Sequence, residues 1–287
     1  MEELNEQYKV FQTDSKIVQE IYHTKPNYLT DYNPKGNKEY CAIYFCSNDI
    51  YYPNTEEVFK KRIVEKDFYE WYNSRIAKAY KHLFIRDIFK QWYLNGINSQ
   101  INTPEKLLEF LQKETFGYHI ITVGSSAGAY AAILYGSILQ AEKVIAFNPQ
   151  FELSSLLERS SEQINPLLFR LKNSDRNRDF DITSFINKNI DIFYFYSNKS
   201  QWDIEQNHFL RNKNIKSIHQ IPFSSKHHGI PFLKVALPIV LNLETKELKK
   251  YTKHIQNPLL FTIKMVGITK TLVGFWQQIY QSYRKRH

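Results

Sequence analysis

Between an apolar run at 119–123 and an alanine-rich stretch at 127–140, the chain reads Gly124-Ser125-Ser126-Ala127-Gly128. A serine in a Gly-x-Ser-x-Gly box that follows a strand and opens a helix is expected to sit on a sharp turn with its hydroxyl exposed. Such a turn crowds its neighbours, so Gly124 and Gly128 leave room for the backbone to fold back. Ala127, Ala129 and Ala131 let the helix approach the strand closely, and its N-terminus points free N–H groups at the serine. Ser125 occupies the x position of the box, so nucleophilic attack is assigned to Ser126.

Runs similar to 119–123 recur at 40–46, 82–85, 144–147 and 192–196, and a more alternating one at 215–222. Helical patterns fill most of the gaps, most clearly at 55–65, 107–115 and 127–140. Thr103-Pro104-Glu105 reads as an N-cap with proline at the first helical position. Strands alternating with helices predict a doubly wound α/β fold with a mostly parallel sheet. Near-continuous apolar strands suit a sheet covered on both faces. The expected organisation is an extension over 1–39, a catalytic domain over 40–243 and a basic tail over 244–287. A helical insertion is expected at about 150–189, after the fourth of these strands, long enough to cover a site.

A serine hydroxyl needs a base, and the base needs an acid to orient it. Around an elbow of this kind they follow in the order serine, acid, histidine. The run 192–196 leads into a loop holding Asp203, with Glu205 as a second choice. The last run leads into Ser224-Ser225-Lys226-His227-His228-Gly229. His228 is preferred over His227, because Gly229 permits a tight turn that aims the ring inward. His219 lies within the last strand and reads as structural. For the oxyanion, one donor is expected at the N–H of Ala127 and the other at Ser47 or Asn48, after the strand at 40–46.

Other chemistries are excluded. Cys41 and Cys46 have no second ligand pair at zinc spacing, so no metal is expected. Neither lies at an elbow or a helix N-terminus, so cysteine catalysis is not expected either. No glycine-rich phosphate loop occurs. The net charge is +9, but nine bases and two acids after residue 243 carry +7 of it, leaving +2 for the rest. The body is therefore no general nucleic-acid binder. The polar opening has no signal-peptide core and no run is long and apolar enough to span a bilayer, so a cytoplasmic chain is expected.

The elbow at 123–132, Val144-Ile-Ala-Phe-Asn-Pro-Gln150 and Ile85-Arg-Asp-Ile-Phe-Lys-Gln-Trp-Tyr93 resemble α/β-hydrolase-type proteins of bacterial surface-polysaccharide gene clusters, over residues 40–235. Capsule polysaccharide O-acetyltransferases are among them. The resemblance implies an α/β-hydrolase sheet with no bound cofactor. Ser126 would take an acetyl group from acetyl-CoA and pass it to a hydroxyl of a polysaccharide or oligosaccharide, with Asp203 and His228 in support. A serine esterase or deacetylase on acylated carbohydrate would use the same three residues. A non-catalytic scaffold in a synthesis complex is a third reading, against which the intact serine, acid, histidine order argues.

Transfer requires a held sugar and an excluded water. Tyr51, Tyr52, Trp92, Tyr93 and Trp202 fall near the expected site and could stack on sugar rings, although Trp92 reads better as core. Lys199, Lys226 or Arg86 could meet CoA phosphates. In the tail, Phe261, Met265, Ile268, Leu272, Phe275 and Ile279 form one helical stripe. Two readings of this C-terminal amphipathic helix stand: docking on the domain or a partner subunit, or lying on an anionic membrane surface at the inner face of the membrane.

Overall fold

The apolar runs form a seven-stranded sheet in the order β1-β3-β2-β4-β5-β6-β7. The strands are β1 (Tyr28–Tyr32), β2 (Asn37–Phe45), β3 (Ala79–Ile85), β4 (His119–Ser125), β5 (Lys143–Phe147), β6 (Asp191–Ser197) and β7 (Ile218–Phe223). All neighbours pair in parallel except β1, which runs antiparallel to β3 at one edge. The structure, a computed structural model, describes residues 9–284 apart from 187, 212 and 214, with side chains as far as 280.

Alternate residues of β2 enter different cores. Cys41, Ile43 and Phe45 pack on one side of the sheet, and Ala42 and Tyr44 on the other. This is why the strands read as nearly unbroken apolar runs rather than as alternating ones. A single antiparallel edge strand, a β3-β2-β4 crossover and a serine elbow directly after β4 make this a sheet of the α/β-hydrolase type.

Residues 9–39 of the segment read from the sequence as an extension supply β1 and bury Phe11, Val18, Ile21 and Tyr22 against the sheet. Gln12 donates to the carbonyls of Gln163 and Ile164, and Arg170 pairs with Asp14. The N-terminal segment thereby straps the stretch between β5 and β6. That stretch folds as short helices, Ser155–Arg159 and Pro166–Leu171, followed by two 3-10 turns. The helix Pro104–Glu114 begins as expected, with Thr103 Oγ1 accepting from the Lys106 N–H.

The tail departs from the single helix expected of its stripe. Gly267 takes φ of 82° and divides it into Pro258–Val266 and Ile268–Arg284. Phe261 is buried among Phe223, Phe232 and Tyr251, whereas Leu272, Phe275 and Ile279 are exposed. Among the described residues, no helix is long and apolar enough to cross a membrane.

Candidate active site

Ser126 joins β4 to the helix Ala127–Ile138 with φ of 52° and ψ of −121°. Positive φ is sterically costly for a residue with a Cβ, about 1–3 kcal/mol, and persists only where the surroundings enforce it. Here the Ser126 N–H is held by the Phe147 carbonyl at 2.8 Å, at the end of the neighbouring strand. Both glycines of the box are required by close backbone contact. A Cβ on Gly124 would lie 2.1 Å from the Gly128 carbonyl oxygen, and one on Gly128 only 2.3 Å from the Phe45 oxygen. The small residues thus let the elbow helix touch both its own strand and the end of β2.

His228 stands beside this serine. Its Nε2 is 3.0 Å from Ser126 Oγ, and its Nδ1 is 3.0 Å from Asp203 Oδ1. Gly229 follows with φ of 126°, a left-handed conformation that suits glycine. Ser197 Oγ donates to the His227 carbonyl at 2.6 Å, which ties the histidine loop to the end of β6. Asp203 is 1% exposed and lies in the first turn of the helix Gln201–Arg211, where the helix dipole favours a negative charge. Its Oδ2 has no hydrogen-bond partner among the described residues. Glu205 faces elsewhere, paired with Arg159 and accepting from Gln201. His227 lines the neighbouring cavity, and its pKa is lowered by burial and then by the nearby His228 and Lys234 charges.

In the loop after β2, Ser47 is already engaged. The Ser47 N–H already donates to Glu70 Oε2 at 2.7 Å, and Ser47 Oγ lies 3.2 Å from Glu70 Oε1. Ser47 instead caps the short 3-10 turn Asn48–Ile50 by accepting from Asp49. Asn48 is the first residue of that turn and Ala127 the first of its helix. Neither N–H has an acceptor within its own helix. Glu70, whose carboxyl pKa is raised by burial, is the part of this loop that the sequence did not single out.

Two cavities meet at the serine. One, of about 530 Å³, is lined by Lys90, Lys234, His227, Tyr52 and Asn54 among others; a second, of about 280 Å³, by Trp92, Gln150, Arg159 and Trp202. Asn48, Ser126, Ile164, Asn165 and His228 line both. Ile164 and Asn165 come from the segment that Gln12 straps. Lys90 donates to the Tyr51 carbonyl at 2.8 Å and to Asn54 at 2.7 Å, and burial lowers its pKa to about 8.

Several expected contacts fall elsewhere. Tyr51 and Tyr93 are core residues whose hydroxyls donate to the Ile88 and Cys46 carbonyls, so they offer no face to a sugar. Arg86 is buried in a network with Asn27, Phe68 and Asp67, and is thereby removed from any phosphate. Lys199 and Lys226 lie outside both cavity linings. Trp92 lies in the core as expected, 6% exposed, and also lines the smaller cavity, its Nε1 donating to Gln150 at 3.1 Å. Trp202 is 48% exposed, with its ring 6.2 Å from that of His228.

The segment 85–93 explains Trp92. The Asp87 carboxylate accepts from the N–H groups of Phe89, Gln91 and Tyr93, and the loop winds around it with positive φ at Lys90, Trp92 and Tyr93. Burial pushes the Asp87 pKa up to about 6. The wound loop also sends Gln91 to the backbone of Ile164 and Leu167.

No protein-family model matches the chain, and no curated protein does. Among solved structures, the capsule O-acetyltransferase of Neisseria meningitidis serogroup A aligns over 69% of this chain and 82% of its own, at 16% identity and a TM-score of 0.49. Esterase B from Lactobacillus rhamnosis covers 96% of this chain and 89% of its own, at 12% identity and a TM-score of 0.48. FphF, a fluorophosphonate-binding serine hydrolase of Staphylococcus aureus, covers 68% and 88%, at 13% identity and a TM-score of 0.39.

Proposed function

We propose that the chain is a serine acyltransferase that moves an acetyl group from acetyl-CoA to a hydroxyl of a surface polysaccharide through an acetyl-Ser126 intermediate. The observation that carries the serine chemistry is the unbroken relay Ser126–His228–Asp203, with 3.0 Å at each link, on a strained elbow between two cavities.

In the first half-reaction His228 Nε2 takes the Ser126 proton as Oγ attacks the thioester carbonyl. The oxyanion that forms is met by the N–H groups of Ala127 and Asn48, an arrangement worth about 3 kcal/mol per donor. Collapse breaks the C–S bond, and the thiolate leaves with the proton from His228. In the second half-reaction a sugar hydroxyl gives its proton to His228 and attacks the acetyl-serine carbonyl, and Ser126 Oγ recovers the proton as it departs. Asp203 holds the imidazole with Nδ1–H towards itself and stabilises the imidazolium formed in both steps.

Transfer is preferred to hydrolysis because the serine opens to two spaces of different chemistry. The larger is polar, lined by Lys90 and Lys234 beside Asp49 and Glu70, and its exposed Lys234 suits a phosphate-bearing donor. The smaller carries the half-exposed Trp202, whose apolar face suits a sugar ring. Intact-mass measurement with acetyl-CoA, with and without de-O-acetylated polysaccharide, tests the reading. A gain of one acetyl group that is lost only when polysaccharide is added supports transfer. Rapid loss to water alone identifies an esterase, and no adduct with any acyl donor overturns the serine assignment.

A further inference from the structure

The helix Ile268–Arg284 sits on the domain by the wrong side for a packing helix. At 100° per residue Leu272, Val273, Phe275, Trp276, Ile279 and Tyr280 fall within an arc of roughly 160°. Every one of them is exposed, between 43% for Phe275 and 66% for Trp276. The helix instead meets the protein through Thr271, which is buried, and Gly274, where an added Cβ would lie 2.7 Å from Val235. These two positions point roughly 150° away from the centre of the apolar arc. The apolar face therefore looks outward, away from the core that an ordinary amphipathic helix would cover.

Its chemistry selects what it meets. After residue 247 the sequence holds eight Lys or Arg and no Asp or Glu. Lys249 is paired with Asp191, while Lys250, Lys253, Lys264 and Lys270 are exposed. A second copy of the chain would bring the same uncompensated positive charge to the contact, which opposes association. An anionic lipid surface supplies the opposite charge, and its headgroup layer accommodates Trp and Tyr, which have an apolar body and a polar tip. We infer that this helix lies in the plane of an anionic membrane, with Phe275 and Trp276 inserted and the net positive charge of the segment drawing it to the headgroups. The inference is independent of the chemistry at Ser126.

Flotation of the full chain with phosphatidylglycerol-containing vesicles, against pure phosphatidylcholine vesicles, tests it. The parent protein is expected to float with the anionic vesicles at low salt and to be released as salt rises towards about 1 M, where screening acts within about 3 Å. Binding to the neutral vesicles should be at least about tenfold weaker. The double variant Phe275→Ser/Trp276→Ser should lose at least about tenfold in binding to anionic vesicles, with an unchanged melting temperature, because both side chains are exposed. Absence of flotation at low salt would overturn the inference, as would a double variant that binds like the parent. Sedimentation showing a dimer of the parent that the double variant dissociates would assign the face to a second copy instead.

Discussion

Replacing Gly128 by alanine tests the elbow at its tightest contact. The new Cβ would stand 2.3 Å from the Phe45 carbonyl oxygen and 2.8 Å from that of Cys46, both backbone atoms. A tolerable separation begins at 3.0 Å, so the helix and the end of β2 must part by at least 0.7 Å. Neither strand atom yields easily. The Phe45 oxygen is held by Trp71 Nε1 at 2.8 Å and the Cys46 oxygen by the Tyr93 hydroxyl at 2.8 Å. Overpacking of this kind costs about 1–3 kcal/mol, which lowers the melting temperature of a chain this size by about 2–4 °C per kcal/mol. The separation also falls between the Ala127 and Asn48 N–H groups, which lie on its two sides. Misplacement on the order of 1 Å costs about a hundredfold in rate. Turnover of p-nitrophenyl acetate by Gly128→Ala is therefore expected to show kcat reduced between about tenfold and a hundredfold, with KM changed far less. Thermal melting on the same preparation gives the stability cost. A variant with parental kcat and parental melting temperature would refute both the close approach and the placement of the oxyanion donors beside it.

Other substitutions separate the parts of the site. Ser126→Ala and His228→Ala should each abolish the acyl adduct seen by mass spectrometry, Asp203→Asn should leave a residue of activity, and Glu205→Gln should remain close to the parent because Glu205 pairs with Arg159 rather than with His228. Loss of the adduct in Glu205→Gln, with Asp203→Asn active, would reverse the choice of acid. Trp202→Ala should raise KM for the carbohydrate acceptor several-fold while leaving acetylation of Ser126 unchanged in single-turnover kinetics; slowed acetylation would move Trp202 to the donor side. His82 is buried against Tyr44 and Phe84, and burial lowers its pKa from 6.5 to about 4. Between those values the unfolded chain binds the proton and the folded one does not, so stability present above pH 6.5 is lost progressively as pH falls towards 4. Urea midpoints at pH 7, 6 and 5 should fall in that order for the parent and more shallowly for His82→Gln, and equal slopes would remove His82 as the cause.

The local features of this chain were legible because they depend on near neighbours. A buried parallel strand needs apolar residues on both sides, and 40–46, 119–123 and 144–147 display that directly. The elbow needs small residues at fixed offsets from Ser126, and they are adjacent in sequence. The chain order of serine, acid and histidine follows from strand order, so Asp203 and His228 are legible as candidates from the sequence alone. The edge strand β1 was missed because Tyr28-Leu-Thr-Asp-Tyr32 is only half buried and its apolar pattern is weak.

The sequence by itself thus determined the six parallel strands, the elbow and the chain order of Ser126, Asp203 and His228, since each is written in spacings of a few residues. Only the tertiary structure decided that the Ser47 N–H is already taken, because Glu70 reaches it from 23 positions away. It likewise decided that Arg86, Tyr51 and Tyr93 turn inward: the buried Asp87 carboxylate winds the loop that holds Tyr93, and the Tyr51 hydroxyl reaches the Ile88 carbonyl of the same loop. The periodicity of the tail announced an amphipathic helix, but periodicity has no sign. It cannot tell a face that packs on the protein from one that looks away, and that was settled by where Gly274 meets Val235.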